Sequence, residues 1–110
     1  LKLDLDISHF VVEGSEMVRS VNLCAPYAAM IHIKDGEKKD GNVQFSLPGA
    51  GGIDITGFLG ALRANGLEDM PVFAEVSVQQ SSRPDYDSKG AAAFCFKALD
   101  KARKEMARNP

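Results

Sequence analysis

The chain has 110 residues, of which 45% are hydrophobic and 25% charged, and this length and composition suit one globular domain with its own core. The formal net charge is −2 and the sequence has no basic stripe, which argues against a nucleic-acid-binding protein. No apolar run is long enough to span a bilayer, so we expect no membrane partner.

The two cysteines, Cys24 and Cys95, lie far apart and in no metal-binding spacing. Each lies among small or apolar residues, which favours buried free thiols over ligands. Free thiols fit a reducing compartment, so we expect a cytoplasmic protein. Because the chain begins at Leu1 inside a strand-like run, we expect its native N-terminus further upstream, which leaves the question of a signal peptide open.

The first half of the chain predicts two strands, a helix between them and a long loop. Residues 1–6 alternate leucine with charged residues, as a half-buried strand does. Gly14-Ser15 offers an N-cap for a helix that Pro26 ends. An apolar run at 28–33 predicts the second strand, and the glycine-rich stretch from Asp35 to Gly52 predicts a functional loop. That stretch lacks the Lys-Ser/Thr of a phosphate-binding P-loop.

The second half predicts two more helices around a third strand. Asp54 is a candidate N-cap for an amphipathic helix that Gly66 stops. The run 72–76 predicts the third strand, and 79–87 predicts a polar loop. A final helix is predicted from Asp87 or Ser88 onward. Strand and helix thus alternate three times, which predicts an α/β fold with parallel strands and crossover helices.

Polar side chains lie at the carboxyl ends of all three predicted strands. These are Asp6 with His9 close behind it, His32, and Glu75. Since these ends share one edge of a parallel sheet, we predict that Asp6, His32 and Glu75 meet around one divalent metal ion. A lone histidine can instead be structural, and Asp4 and Asp6 can belong to a solvated edge. Glu75 interrupts an apolar strand, where a carboxylate is costly unless it is paired or bound to a cation.

Four motifs in this order resemble the xylose isomerase-like TIM-barrel superfamily, in particular its sugar phosphate isomerase/epimerase branch. The motifs are Leu5-Asp6-Ile7-Ser8-His9, Ile31-His32-Ile33-Lys34-Asp35, Leu47-Pro48-Gly49-Ala50-Gly51-Gly52-Ile53-Asp54 and Ala74-Glu75-Val76-Ser77. The resemblance implies a (β/α)8 barrel of which residues 1–110 form the C-terminal portion, about strands six to eight with their helices. Such a slice leaves sheet edges and one face uncovered.

The resemblance also implies a site. Asp6, His32 and Glu75 match the last three of four metal ligands, and the first glutamate lies upstream of Leu1. Mn²⁺ is the expected ion, with Mg²⁺, Co²⁺ and Zn²⁺ as alternatives. His9 matches a residue that contacts substrate oxygens. In the epimerases an arginine soon after the metal-binding histidine holds the sugar, and here that region has Lys34, Lys38 and Lys39 instead; of these we expect Lys34 to bind substrate.

The activity implied is metal-dependent isomerisation or epimerisation of a sugar, sugar phosphate or related polyol ketone through an enediolate. Glu75 is the expected acid/base residue. The partner is a carbohydrate, a homo-oligomer is left open, and the 110-residue chain by itself is expected to be inactive.

Two other activities share this fold. An inosose dehydratase-like lyase would use the same site. An apurinic-site endonuclease adds an Asp-x-His pair in the loop after His32, but residues 35–52 contain no histidine and the chain has no basic face for DNA. The nuclease is therefore the weaker alternative.

Overall fold

A three-stranded parallel sheet with helices on one face dominates the chain in a computed structural model that describes residues 1–109. The strands are β1 (Leu3–Asp6), β2 (Ala28–Ile33), β3 (Asp35–Lys39), β4 (Asn42–Ser46) and β5 (Val72–Ala74). The helices are α1 (Ile7–Val12), α2 (Met17–Cys24), α3 (Ile55–Ala64), α4 (Val78–Ser81) and α5 (Ser88–Arg108), and a 3₁₀ turn spans Ala25–Tyr27.

The parallel sheet has the strand order β1-β2-β5, so the predicted α/β class with parallel strands is confirmed. Asp6 is the register partner of His32, and His32 is in turn the partner of Phe73. The carboxyl ends of the three strands therefore lie side by side, as the strand–helix alternation predicted.

One face of this sheet is buried and the other is open. Leu5, Ile31 and Ile33 are fully buried and belong to one core cluster with side chains of α2 and α3. Because side chains alternate between faces, their strand neighbours point the opposite way. There Met30 is 44% exposed and Phe73 is 48% exposed. The face that carries the polar strand ends therefore has little apolar cover among residues 1–109.

The predicted loop at 35–52 begins as a β-hairpin, which corrects the sequence-based prediction. β3 and β4 pair antiparallel and are joined by Asp40 and Gly41, whose φ angles are 52° and 78°. Positive φ at both central residues is the geometry of the type I′ turn, for which Asp-Gly is a preferred sequence. The hairpin signal was present in that dipeptide and in the alternation of Val43 and Phe45 with polar residues on β4, whereas β3 carries no apolar side chain.

The other element boundaries agree in part with prediction. Asp54 and Asp87 cap α3 and α5, and Gly66 has the positive φ expected of a helix stop. A separate helix, α1, begins directly after β1, and the N-cap of α2 is Glu16 rather than the predicted Gly14-Ser15. The short helix α4 begins one residue before the predicted polar loop and occupies its first residues, and β5 ends two residues earlier than predicted.

Both cysteines are free thiols as predicted, but only Cys95 is buried, whereas Cys24 is half-buried. Cys95 is buried on α5, and desolvation raises the pKa of its thiol, so it behaves as a small apolar core residue. Among residues 1–109, no helix combines the length and apolar character needed to cross a membrane.

Candidate functional site

Asp6 is positioned by two elements at once, because it is the last residue of β1 and the N-cap of α1. Its Oδ1 accepts hydrogen bonds from the backbone N–H of Ser8 at 3.0 Å and from the Ser8 hydroxyl at 2.7 Å. Its Oδ2 is thereby turned toward the carboxyl edge of the sheet, where it contacts Nζ of Lys34. Helix capping thus fixes the direction of this carboxylate.

Lys34 is the centre of the site, directly after β2. Its side chain is only 4% exposed. The ammonium donates to Oδ2 of Asp6 and to Oε2 of Glu75, the latter at 2.7 Å, and lies 3.2 Å from Nε2 of His9. An ammonium has three N–H donors, and here each has an acceptor. The buried lysine charge is thus balanced by two carboxylates, Asp6 at the end of β1 and Glu75 after β5.

Glu75 completes the ion pair from the third strand. It follows β5, and its backbone N–H donates to the carbonyl of Ile33 at 2.9 Å, which continues the pairing with β2 past the strand's end. Its side chain is 45% exposed, whereas that of Asp6 is 10% exposed. The two carboxylates therefore share one cation, but Glu75 is the one that solvent or a substrate reaches.

The hairpin supplies an aromatic lid over this cation. Nζ of Lys34 lies 4.5 Å from the centroid of the Phe45 ring, within the range of a cation–π contact. The His9 ring meets Phe45 edge to face with centroids 5.2 Å apart. Gln79 and Gln80 hold the backbone of Phe45 through its N–H, at 2.7 Å, and its carbonyl, at 2.9 Å. The lid is thus fastened to α4, beyond the third parallel strand.

The charge of Asp6 depends on this arrangement. Burial disfavours its ionised form, but hydrogen bonds from Lys34 and Ser8 outweigh that desolvation and hold the pKa of Asp6 below its ordinary value. Asp6 is therefore an anion at neutral pH and serves as a fixed acceptor for a cation.

His32 lies on the same sheet face but has other partners. Its Nδ1 is 2.8 Å from Oδ1 of Asp4, and its ring lies tilted against Phe73 with centroids 5.7 Å apart. Of the predicted ligands, the structure thus brings Asp6 and Glu75 onto one cation, together with the predicted substrate residues His9 and Lys34. His32 is joined to Asp4, two residues before Asp6 on β1.

The predicted metal site requires three donor side chains around one ion. Within residues 1–109, no three His, Cys, Asp or Glu side chains are arranged to hold a metal ion. The space between the Asp6 and Glu75 carboxylates holds the Lys34 ammonium. The two carboxylates are nevertheless oxygen donors of the kind that a divalent cation takes, and they already share one positive charge. The imidazole beside that charge is His9, whereas the predicted ligand His32 contacts Asp4. The three-ligand site itself stays a prediction.

Three residues of this region were not identified from the sequence. Asp4 and Phe45 were not predicted as partners of His32 and Lys34. Asp35 is 1% exposed, and its carboxylate accepts from the N–H groups of Gly49 and Ile53, both at 2.8 Å. The available signal was the alternation on β1, which puts Asp4 and Asp6 on one face. The position of Phe45 over Lys34 depends on the hairpin, which was not predicted from the sequence.

Comparison with known proteins places the fold. No family model matches the sequence, and no curated protein matches it either. The structure is similar to the crystal structure of a xylose isomerase domain protein from Planctomyces limnophilus, with a TM-score of 0.74 and 19% sequence identity. The match covers 98% of this chain and 39% of that chain, so the chain spans well under half of its structural neighbour. The chain therefore has the fold of part of a xylose isomerase-like TIM barrel.

Proposed function

We propose that this chain carries part of the active site of an isomerase or epimerase that acts on a sugar, a sugar phosphate or a related polyol ketone. The observation that carries the proposal is that Asp6 and Glu75, from the ends of two strands that flank β2, converge on one cation. The likeness of the fold to a xylose isomerase domain protein supports this class of reaction.

In this proposal Glu75 moves the proton on the carbon next to the substrate carbonyl. It is suited to that role because its carboxylate is accessible while its backbone is fixed by β2. Asp6 is buried and hydrogen-bonded to Ser8, which suits a constant negative charge rather than proton transfer.

Lys34 and His9 provide groups for the substrate's oxygen atoms. The Lys34 ammonium can stabilise negative charge that develops on an enediolate oxygen when that oxygen replaces one of the three acceptors that now surround it. The His9 side chain is 60% exposed and can hydrogen-bond a hydroxyl at the same edge. Phe45 covers Lys34 and keeps water from that side of the ammonium.

We propose Asp6, His32 and Glu75 as the residues of this chain that would hold a divalent ion, with Mn²⁺ as the expected metal. Such an ion, when bound, supplies Lewis-acid polarisation of the substrate carbonyl. Its carboxylate and imidazole donors are those that Mn²⁺ accepts. Because Nδ1 of His32 faces Asp4, Nε2 is the nitrogen left for the ion.

The test is proton exchange between substrate and solvent. The whole protein is incubated with Mn²⁺ in deuterated water and a panel of ketoses and ketose phosphates, and deuterium at the carbon next to the carbonyl is followed by NMR. We expect exchange with the wild type. Glu75→Gln is nearly isosteric and should retain the fold but lose about 10²–10⁴-fold in rate, the usual contribution of a general base.

The matched control is Glu68→Gln, which makes the same change at an exposed position shortly before β5, at the end of that strand opposite Glu75. It should exchange at the wild-type rate. Absence of exchange with every substrate, or normal turnover by Glu75→Gln, contradicts the proposal. Loss of water from the substrate in place of reversible exchange would indicate the lyase.

A further inference from the structure

The carboxylate pair at the strand ends is neutralised only in part by its lysine. Asp6 and Glu75 together carry two negative charges, whereas the Lys34 ammonium carries one positive charge. His9 completes the shell as an acceptor and adds no negative charge. A divalent ion at the same place would neutralise both carboxylates.

The ammonium and a divalent ion cannot occupy this place together. Lys34 contacts the very oxygens, Oδ2 of Asp6 and Oε2 of Glu75, that face the space between the two carboxylates. A metal ion bound by the same oxygens would lie about 2.0–2.2 Å from each of them. Two cations in that space would repel each other at close range, in a site where burial weakens screening by water.

In the absence of metal, Lys34 is nevertheless held firmly between the two carboxylates. Its side chain is almost fully buried, its three donors are all used, and the Phe45 ring covers it. The hairpin that carries Phe45 is tied to Gln79 and Gln80 by hydrogen bonds to its backbone. Lys34 is therefore a well-held occupant and not a mobile surface lysine.

We propose that Lys34 is a built-in competitor for the divalent metal: its ammonium occupies the Asp6–Glu75 pair in the metal-free protein and leaves the pair when the ion binds. This inference rests on the proposed function, since metal binding by Asp6 and Glu75 is part of that proposal. The inference goes beyond the proposed function because it assigns to Lys34 control of metal affinity, in addition to contact with substrate.

The first test is metal binding by Lys34→Met in the whole protein, measured by calorimetric titration with Mn²⁺ alone and no substrate. Removal of the competing charge-assisted hydrogen bonds should tighten binding about 10- to 100-fold. Lys39→Met removes the same charge from an exposed position at the tip of the hairpin and is the matched control. Its affinity should stay close to that of the wild type.

The second test needs no variant, so it holds even if Lys34→Met fails to fold. The wild type is treated with a lysine-acylating reagent with and without Mn²⁺ at the saturating concentration given by the titration, and the modification of each lysine is followed by mass spectrometry. Lys34 should be protected in the metal-free protein and should react at least several-fold faster with Mn²⁺. Lys39 should react at the same rate in both conditions.

The outcomes separate this inference from the proposed function. Equal or weaker Mn²⁺ binding by folded Lys34→Met, or protection of Lys34 that persists at metal saturation, overturns the competition. Absence of metal binding by both wild type and Lys34→Met overturns the metal-dependent function together with it. Tighter binding by the variant and release of Lys34 by the metal support both.

Discussion

His32 and Asp4 are joined across the first two parallel strands, with Nδ1 of the imidazole 2.8 Å from Oδ1 of the carboxylate. The bond is diagonal, because the register partner of His32 is Asp6 and not Asp4. A proton on Nδ1 that is donated to Asp4 leaves the lone pair on Nε2, which is the form in which histidine binds metals. Asp4 is therefore a positioning residue for the predicted ligand His32.

Replacement of Asp4 tests this relationship. Asp4→Leu removes the acceptor, so the preferred protonation of Nδ1 should be lost and the affinity for Mn²⁺ should fall about 10- to 100-fold, as for other carboxylates that support a ligating histidine. The measurement is a ¹⁵N correlation spectrum of the His32 ring in the metal-free whole protein, followed by a metal titration. Asp4→Asn keeps an acceptor oxygen and is the control. An unchanged tautomer and affinity in Asp4→Leu would refute the assignment.

The sequence correctly predicted those segments whose local pattern of residues agrees with the burial and contacts that they have in the folded chain. The apolar run at 28–33 became β2 with its bounds unchanged, because it is buried in the sheet by neighbours on both edges. Asp54 caps α3 as predicted, because an N-cap bond is made within one turn. The edge shared by Asp6 and Glu75 followed from the parallel topology alone.

The remaining features depend on contacts between distant residues. Lys34 was expected to hold a sugar, but its position between Asp6 and Glu75 joins residues 28 and 41 positions away. Phe45 reaches Lys34 only because the hairpin folds back over the strand ends. Nothing in the local sequence near residue 45 specifies that direction. The pairing of His32 with Asp4, rather than with Asp6, is likewise set by side-chain direction across the sheet.

The glycine-rich segment after the hairpin provides a prediction about stability. A Cβ added at Gly51 would lie 2.8 Å from Cβ, Cγ and Oδ1 of Asp35. Asp35 is buried and holds the segment through Gly49 and Ile53, so it has no room to yield. Gly51→Ala should therefore destabilise the whole protein by about 1–3 kcal/mol, as overpacking does, measured by the urea unfolding midpoint.

The neighbouring glycine is the control for that substitution. A Cβ at Gly52 would meet no atom within 4 Å, and Gly52→Ala is expected to change stability by no more than about 0.5 kcal/mol. Equal effects of the two substitutions would show that Asp35 does not constrain the segment in the way described.

The N-cap of α2 predicts a pH dependence of stability. The carboxylate of Glu16 accepts from the N–H groups of Arg19 at 2.7 Å and Val18 at 3.0 Å, and these bonds hold the pKa of Glu16 below its ordinary value of 4.5. Because the pKa is lower in the folded state, this contribution is complete above 4.5 and is lost as the pH falls through the folded-state value. The melting temperature of wild type should thus exceed that of Glu16→Gln at neutral pH, and the difference should shrink in acid.

The matched substitution is Glu37→Gln on the exposed side of β3. It removes a carboxylate that caps no helix, so its melting temperature should follow that of wild type closely at each pH. A Glu16→Gln difference that stays constant from neutral pH into strong acid would mean that the cap does not depend on the charge.

The open surfaces of the sheet predict how residues 1–110 behave when expressed by themselves. β1 and β5 form the two edges of the parallel sheet, and Met30 and Phe73 are exposed on its open face. A second apolar surface is the groove of about 380 Å³ between α3 and α5, on whose rim Phe96 is 70% exposed. Unpaired edges and contiguous apolar surface both promote association. We therefore expect oligomers or aggregates in size-exclusion chromatography with light scattering.

Single substitutions on each of the two apolar surfaces test whether the groove or the open sheet face causes this association. Phe96→Lys places a charge at the rim of the groove and should shift the distribution toward monomer if the groove drives association. Phe73→Lys makes the same change on the open sheet face. It should have the larger effect if the sheet drives association, because Phe73 is exposed on that face and belongs to the edge strand β5. A monodisperse wild-type monomer with a sharp, cooperative thermal transition would show that the three-stranded sheet needs no further cover.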